Sequence, residues 1–366
     1  MTTLLQASNN WMTRPSDERY LSLLDMQTFK NDQRAHSNAR VVTSRALSAA
    51  PTNDNKDVVV VGPNGNPIAP THWSFGQLAS LAGAPAGYLR KLPAPVAADC
   101  LNYGLQVERQ AESVGVLLHQ NGGAPALRAA TGPAYGRIWD ADILHHLIDN
   151  VGDGVTGDWR VPGEFGKPVT VTKANTTLYA SDRDMFVFLA DEKNLIEVPG
   201  AGRNGETELL SRGFFVSNSE VGSATLSIST FLYRYVCCNR MVWGARDVDT
   251  IKIRHAAHAP DRFIEEVIPA LEDYSAGSTR GIIEGVTNAI NSRLDDDKVD
   301  AFLATRFGGR KVVNAIKTIH QEEEGRPIAS LWDAAQGATA YARGFNNQDQ
   351  RVALERKAGD IIDLAA

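Results

Sequence analysis

The spacing of apolar and polar positions changes character along this chain, and the changes mark out three stretches. Residues 1–56 are mostly polar, with Asn9, Asn10, Arg14, Asp17, Glu18 and Arg19 ahead of LSLLDM and a basic segment, NDQRAHSNARVVTSRAL, behind it. That composition predicts a polar N-terminal arm with a short helix or strand. Residues 57–258 mix two-residue alternation with short helical patterns, whereas residues 259–366 keep three-to-four spacing almost throughout. The expected class is α+β: a strand-rich N-terminal and central portion with helical hairpins, then a helical C-terminal portion.

Within the central stretch, DVVVVGPNGNPIAP places a turn between two β-prone runs and predicts a hairpin. GPNGNP lacks the Gly-Lys-Ser/Thr ending and the following helix of a phosphate-binding loop. Thr71 or Ser74 caps a helix from Phe75 with Leu78, Leu81 and Ala82 on one face, and Gly83 and Pro85 mark its end and the next start. Ala79, Gly83 and Leu89 stand where a helix-turn-helix unit places its packing residues, which exposes Tyr88, Arg90 and Lys91. Pro93 and Pro95 cut the second helix short, so a helical hairpin packed on a sheet is the expectation. ESVGVLLHQ reads as a strand, and Asp140 as the N-cap of a helix burying Ile143, Leu144 and Leu147.

Glycine turns and short β-prone runs continue to residue 212, and LSIS from Leu226 alternates as a half-buried strand does. From Thr230 the pattern is ambiguous. Phe231, Tyr235 and Cys238 share a helical face, whereas Phe231, Tyr233 and Tyr235 share a strand face, and a helix running into Met241 is expected. TIKIR is a strand with Lys252 and Arg254 on one side. Beyond Pro260, five amphipathic segments punctuated by Gly308-Gly309 and Gly325 predict helices.

Composition narrows the class. A 366-residue chain with 43% hydrophobic and 22% charged residues is long enough to bury a substantial core. No apolar run is long enough to span a bilayer, and the N-terminus lacks a signal-peptide pattern, so a cytoplasmic protein with no membrane partner is expected. Three cysteines, Cys100, Cys237 and Cys238, are too few for a disulfide framework or a four-thiolate zinc site. A net charge of −6 excludes a surface basic all over, so any nucleic-acid contact must use a patch.

Candidate chemistry concentrates between residues 128 and 258. Asp182, Asp184, Asp191 and Glu192 suggest paired carboxylates for metal ions, but turn acids on hairpins explain them as well. Cys237 and Cys238 project apart, and His255-Ala-Ala-His258 lacks the Glu of a zinc-hydrolase helix, so no catalytic set, metal site or cofactor is assigned. Aromatics interleaved with arginines suit a sequence-tolerant single-strand groove, in which bases stack on rings and guanidinium groups meet phosphates. The residues expected to form it are Arg128, Tyr135, Arg137, Arg234, Tyr235, Arg240, Lys252 and Arg254.

The block RGFFVSNSEVGSATLSISTFLYRYVCCNRMVWG followed by TIKIRH resembles one family, the prokaryotic phage- and plasmid-borne group of unknown function designated DUF932. Its resemblance extends from about Asp57 to the closing WDAAQGATAYARGFNNQDQR. Relatives carry a small residue or Thr after the Asn that Asn239 matches, where this chain has Arg240. The resemblance implies a protein of mobile elements, handled alongside replication, recombination or conjugative entry. With the aromatic-basic block it leads to an expected single-stranded nucleic-acid binder, such as an annealing or strand-protecting factor acting as a homo-oligomer. A metal-dependent nucleic-acid or nucleotide hydrolase through Asp182, Asp184 or the His255/His258 pair, and a protein that neutralises a host factor, are the alternatives.

Overall fold

The computed structural model describes residues 14–62, 65–107, 113–120, 122–162, 170–234, 240–241, 251–345 and 348–365. Helix α1 (Leu23–Ala35) begins at Ser22, whose hydroxyl accepts the Asp25 N–H as an N-cap. Strands β1 (Ser37–Thr43), β2 (Ser48–Pro51), β3 (Val58–Val61) and β4 (Pro67–Pro70) follow. β3 and β4 form the predicted antiparallel hairpin, with Val60 opposite Ile68. Then come α2 (His72–Leu81), α3 (Ala86–Leu89), α4 (Ala94–Val107), β5 (Ser113–His119) and β6 (Ala126–Thr131). The six strands make one sheet in the order β1-β5-β6-β4-β3-β2, with β4 and β6 parallel because α2 to α4 intervene between them in sequence.

Thr71 caps α2, its hydroxyl accepting the Ser74 N–H, and Gly83 ends the turn beyond it at φ 66°. Leu78, Leu101, Val114, Val116 and Leu127 bury the helices against this sheet. α3 has only four residues, too short to lie along a DNA groove, so the helical-hairpin reading holds.

Helix α5 (Asp140–Val151) leads into a second sheet. Trp139 takes the N-cap position and Asp140 is the first helical residue, which corrects the expected cap by one position. The sheet contains β7 (Trp159–Arg160), β8 (Leu178–Ala180), β9 (Met185–Asp191), β10 (Ile196–Val198), β11 (Glu208–Asn218), β12 (Leu226–Arg234), β13 (Arg240–Met241) and β14 (Ile251–Ile253). The helix expected from Thr230 is instead the second half of β12, because pairing along β11 decides the ambiguity: Phe231 lies opposite Gly213 and Leu232 opposite Arg212.

One face of this sheet presents Val187, Leu189, Phe214, Val216, Leu226 and Ile228 to Leu23 and Met26 of α1 and Leu144 and Leu147 of α5. The polar N-terminal stretch is thus built into both halves of the molecule, α1 against the second sheet and β1 at the edge of the first. The opposite face carries a buried ring cluster, Tyr179, Phe186, Phe188, Phe215 and Phe231.

The C-terminal helices follow the predicted spacing. α6 (Ala259–Arg262), a π-helical turn (Phe263–Val267) and α7 (Ile268–Ala276) return to the second sheet through Phe263, Val267 and Leu271. Arg212 fixes the end of α7, donating to the carbonyls of Tyr274 and Gly277. Helices α8 (Arg280–Asn291), α9 (Asp296–Phe307), α10 (Arg310–Glu324), α11 (Leu331–Arg343) and α12 (Gln348–Ile362) form a separate core around Trp332 with Ile196, Leu210 and Leu232 of the sheet. Among the described residues, no helix is long and apolar enough to cross a membrane.

Candidate functional site

Four charged side chains, none more than 3% exposed, meet where the two sheets abut: Lys30 of α1, Arg128 of β6, Asp140 of α5 and Glu220 after β11. Lys30 Nζ donates to Ser181 O at 2.7 Å and Gln33 Oε1 at 3.0 Å, and lies 2.9 Å from Asp140 Oδ2 in an ionic contact rather than an aligned hydrogen bond. Arg128 donates to Glu220 Oε2 and to Asp182 O, each at 2.9 Å. The other Glu220 oxygen accepts the Asp140 N–H at 3.0 Å, and Asn218 Nδ2 donates to Asp140 Oδ1 at 2.7 Å. Burial works to raise Glu220, but Lys30 and Arg128 outweigh it and hold this carboxyl below its ordinary value.

Buried ion pairs add little net stability against apolar packing, so their value here lies in what they fix. Lys30 holds the carbonyl of Ser181, Arg128 that of Asp182, and Ser219 Oγ donates to that of Arg183 at 2.7 Å. Three successive carbonyls of the β8–β9 turn are therefore tied to side chains from α1, β6 and the β11–β12 turn. Asp184 closes the same turn, accepting from Arg14, Arg183 and Ser181 Oγ. Its burial would raise it, yet Arg14 and Arg183 keep it below the usual carboxylate range.

The locked turn borders a cavity of about 260 Å³ lined by Arg14, Glu18, Asp182 and Arg183 together with His72 and Trp73 of α2. The same His72 and Trp73 line a larger cavity of about 590 Å³, which continues past Ser80, Leu81 and Arg90 to Thr131 and Gly132 at the end of β6. The two cavities thus share a wall. They differ in charge: the smaller sets Glu18 and Asp182 against its two arginines, whereas the lining of the larger holds Arg90 and no carboxylate among the described residues. Arg90 donates to His72 O at 2.7 Å and stands over the Phe75 ring at 5.1 Å. Trp73 is set by its indole N–H, which donates to Val221 O at 3.0 Å, and the Arg183 guanidinium lies 6.0 Å from its ring.

The expected strand-binding residues divide into three groups. Arg128, Tyr135 and Arg137 turn inward and hold the seam. The Tyr135 hydroxyl donates to Ser219 O at 2.8 Å, its ring stacks on His255 at 4.9 Å, and Arg137 donates to Glu220 O while its guanidinium lies 5.2 Å from the Tyr135 ring. Burial pushes His255 down to about 4, so the neutral ring donates from Nδ1 to Gly136 O at 3.0 Å. Lys252 and Arg254 are exposed at β14, Arg254 immediately before the His255 that stacks on the loop beyond Gly132. Arg234 and Arg240 fall on β12 and β13, and Tyr235, Cys237 and Cys238 lie outside the described residues.

Of the metal candidates, Asp184 is taken up by arginines, Asp191 pairs with Arg212, and His258 is exposed beside Asp261 while His255 is buried. Among the described residues, no three His, Cys, Asp or Glu side chains converge on a point that could hold a metal ion. Sequence reasoning placed Arg90 on the surface but missed its cavity, and missed Trp73 and Lys30 altogether. Lys30 offers no local signal, since Asp140 and Ser181 lie more than a hundred positions away.

A family model described as a domain of unknown function (DUF932) matches residues 171–357, just over half of the chain. The match takes in the β8–β9 turn, Glu220, Lys252 and Arg254, while α2 and β6 precede it. No curated protein and no solved structure matches the chain.

Proposed function

The chain belongs to the DUF932 family, and because that family carries no assigned activity we propose from the geometry that it binds single-stranded nucleic acid along the seam between its two sheets. The observation that carries this reading is the larger cavity, walled by Trp73, whose described lining holds Arg90 and no carboxylate, and which shares His72 and Trp73 with the smaller cavity beside the turn whose carbonyls buried side chains hold in place. Rings beside unopposed guanidinium groups accept bases and phosphates without reading sequence. Tyr88, Arg90 and Lys91 are exposed at one end of this surface, and Lys252 and Arg254 are exposed beyond the loop that rims it. On this reading Arg128, Tyr135 and Arg137 are positioning residues, and Lys252 and Arg254 meet phosphates. In this role the protein handles strands of mobile elements, annealing or protecting a strand, with several copies side by side on it. Charge reversal at Lys252 and Arg254 together is expected to weaken binding to a labelled single strand at least about tenfold at low salt; unchanged affinity in that double variant removes β14 from the interface.

A further inference from the structure

We infer that the larger cavity holds one unpaired nucleobase with its phosphate and does not select among the bases, an inference that rests on the single-strand reading and narrows it. Its volume of about 590 Å³ lies within the range of about 300–1,000 Å³ typical of small-molecule sites. Trp73 and Leu81 offer flat or apolar wall, and Arg90 supplies one cation with no carboxylate opposite it among the described residues of the lining.

In the wall, the side chains of Trp73, Gln77, Ser80 and Thr131 are engaged with the protein itself, and the His72 ring and the Arg90 guanidinium complete the polar lining. The Gln77 amide accepts from Ala130 N–H at 2.9 Å and donates to Val221 O at 2.7 Å, and the Trp73 N–H donates to the same carbonyl. Ser80 Oγ donates to Gly76 O at 3.0 Å and Thr131 Oγ1 to Gly115 O at 3.2 Å. A pocket that tells one base from another aims unsatisfied donors and acceptors at the base edge. This one offers stacking, a single guanidinium charge and one imidazole, His72, too few edge contacts to tell the bases apart.

The test is fluorescence anisotropy of the full chain with labelled oligo-dA, oligo-dC and oligo-dT of equal length, alongside Ser80→Trp and Arg90→Gln. Ser80 stands exposed on the rim, so the indole fills the cavity without entering the core, and Arg90 is exposed as well. The inference expects affinities for the three strands within about fivefold and a loss of roughly tenfold in Ser80→Trp, the scale of one stacked base. Arg90→Gln should flatten the slope of log affinity against log salt by about 0.7, one phosphate contact. A preference of more than about a hundredfold for one base, the scale of a bidentate edge contact, overturns it. Both variants binding like the parent chain also overturn it, and the single-strand reading then stands only if charge reversal at Lys252 and Arg254 still weakens binding. Absence of binding by the parent chain at low salt removes both.

Discussion

His255 and Lys30 show what single side chains do at the seam. His255 is 8% exposed and its folded-state value is about 4, against an ordinary value near 6.5. The unfolded chain therefore binds the extra proton between these values, and the histidine's contribution to stability, full above pH 6.5, is lost as pH falls through about 4. It is expected to remove up to about 3 kcal/mol over that window, and His255→Gln should flatten this part of the pH profile in urea unfolding. Lys30 presents the opposite case, a buried cation serving Asp140 and the Ser181 carbonyl. Lys30→Met should cost about 3–5 kcal/mol by leaving the buried Asp140 without its cation and Glu220 with Arg128 alone, and Lys30→Met with Asp140→Asn should recover part of that loss. A Lys30→Met variant as stable as the parent would show that the network does not hold the turn.

At the scale of elements, what could be read in the chain was what neighbours in sequence decide. The β3–β4 hairpin, the Thr71 cap, the apolar face of α5 and the C-terminal helices all follow from residues a few positions apart. β12 did not, because Phe231 and Tyr233 fit a strand only once β11 lies beside them. Phe231 covers Gly213 across the pair so closely that any side chain at that position would run into its ring. Gly213→Val is accordingly expected to destabilise the protein by about 1–3 kcal/mol through overpacking, and the loss should shrink when Phe231 is shortened to Leu. Equal destabilisation in both backgrounds would put the strain elsewhere. The polar pattern of the N-terminal stretch concealed α1 for the same non-local reason: Lys30 and Gln33 are buried against partners far along the chain.

For the whole molecule, the candidate site draws on an N-terminal sheet outside the family match and on a central sheet that falls within it apart from β7, so no single motif could have announced it. The aromatic-basic block pointed to the second sheet, but most of its described rings are buried in the core, whereas the half-buried Trp73 of α2 and the exposed Tyr88, Arg90, Lys91, Lys252 and Arg254 lie on or next to α2, α3 and β14. On the proposed single-strand reading, a net charge of −6 makes binding depend on a local surface, so it should be strongly salt-sensitive. The most direct measurement is anisotropy of labelled single-stranded and duplex oligonucleotides titrated with the full chain at two salt concentrations. Tighter binding to the single strand, weakening as salt rises, is the predicted result; no binding at low salt, or equal binding of the duplex, contradicts the account.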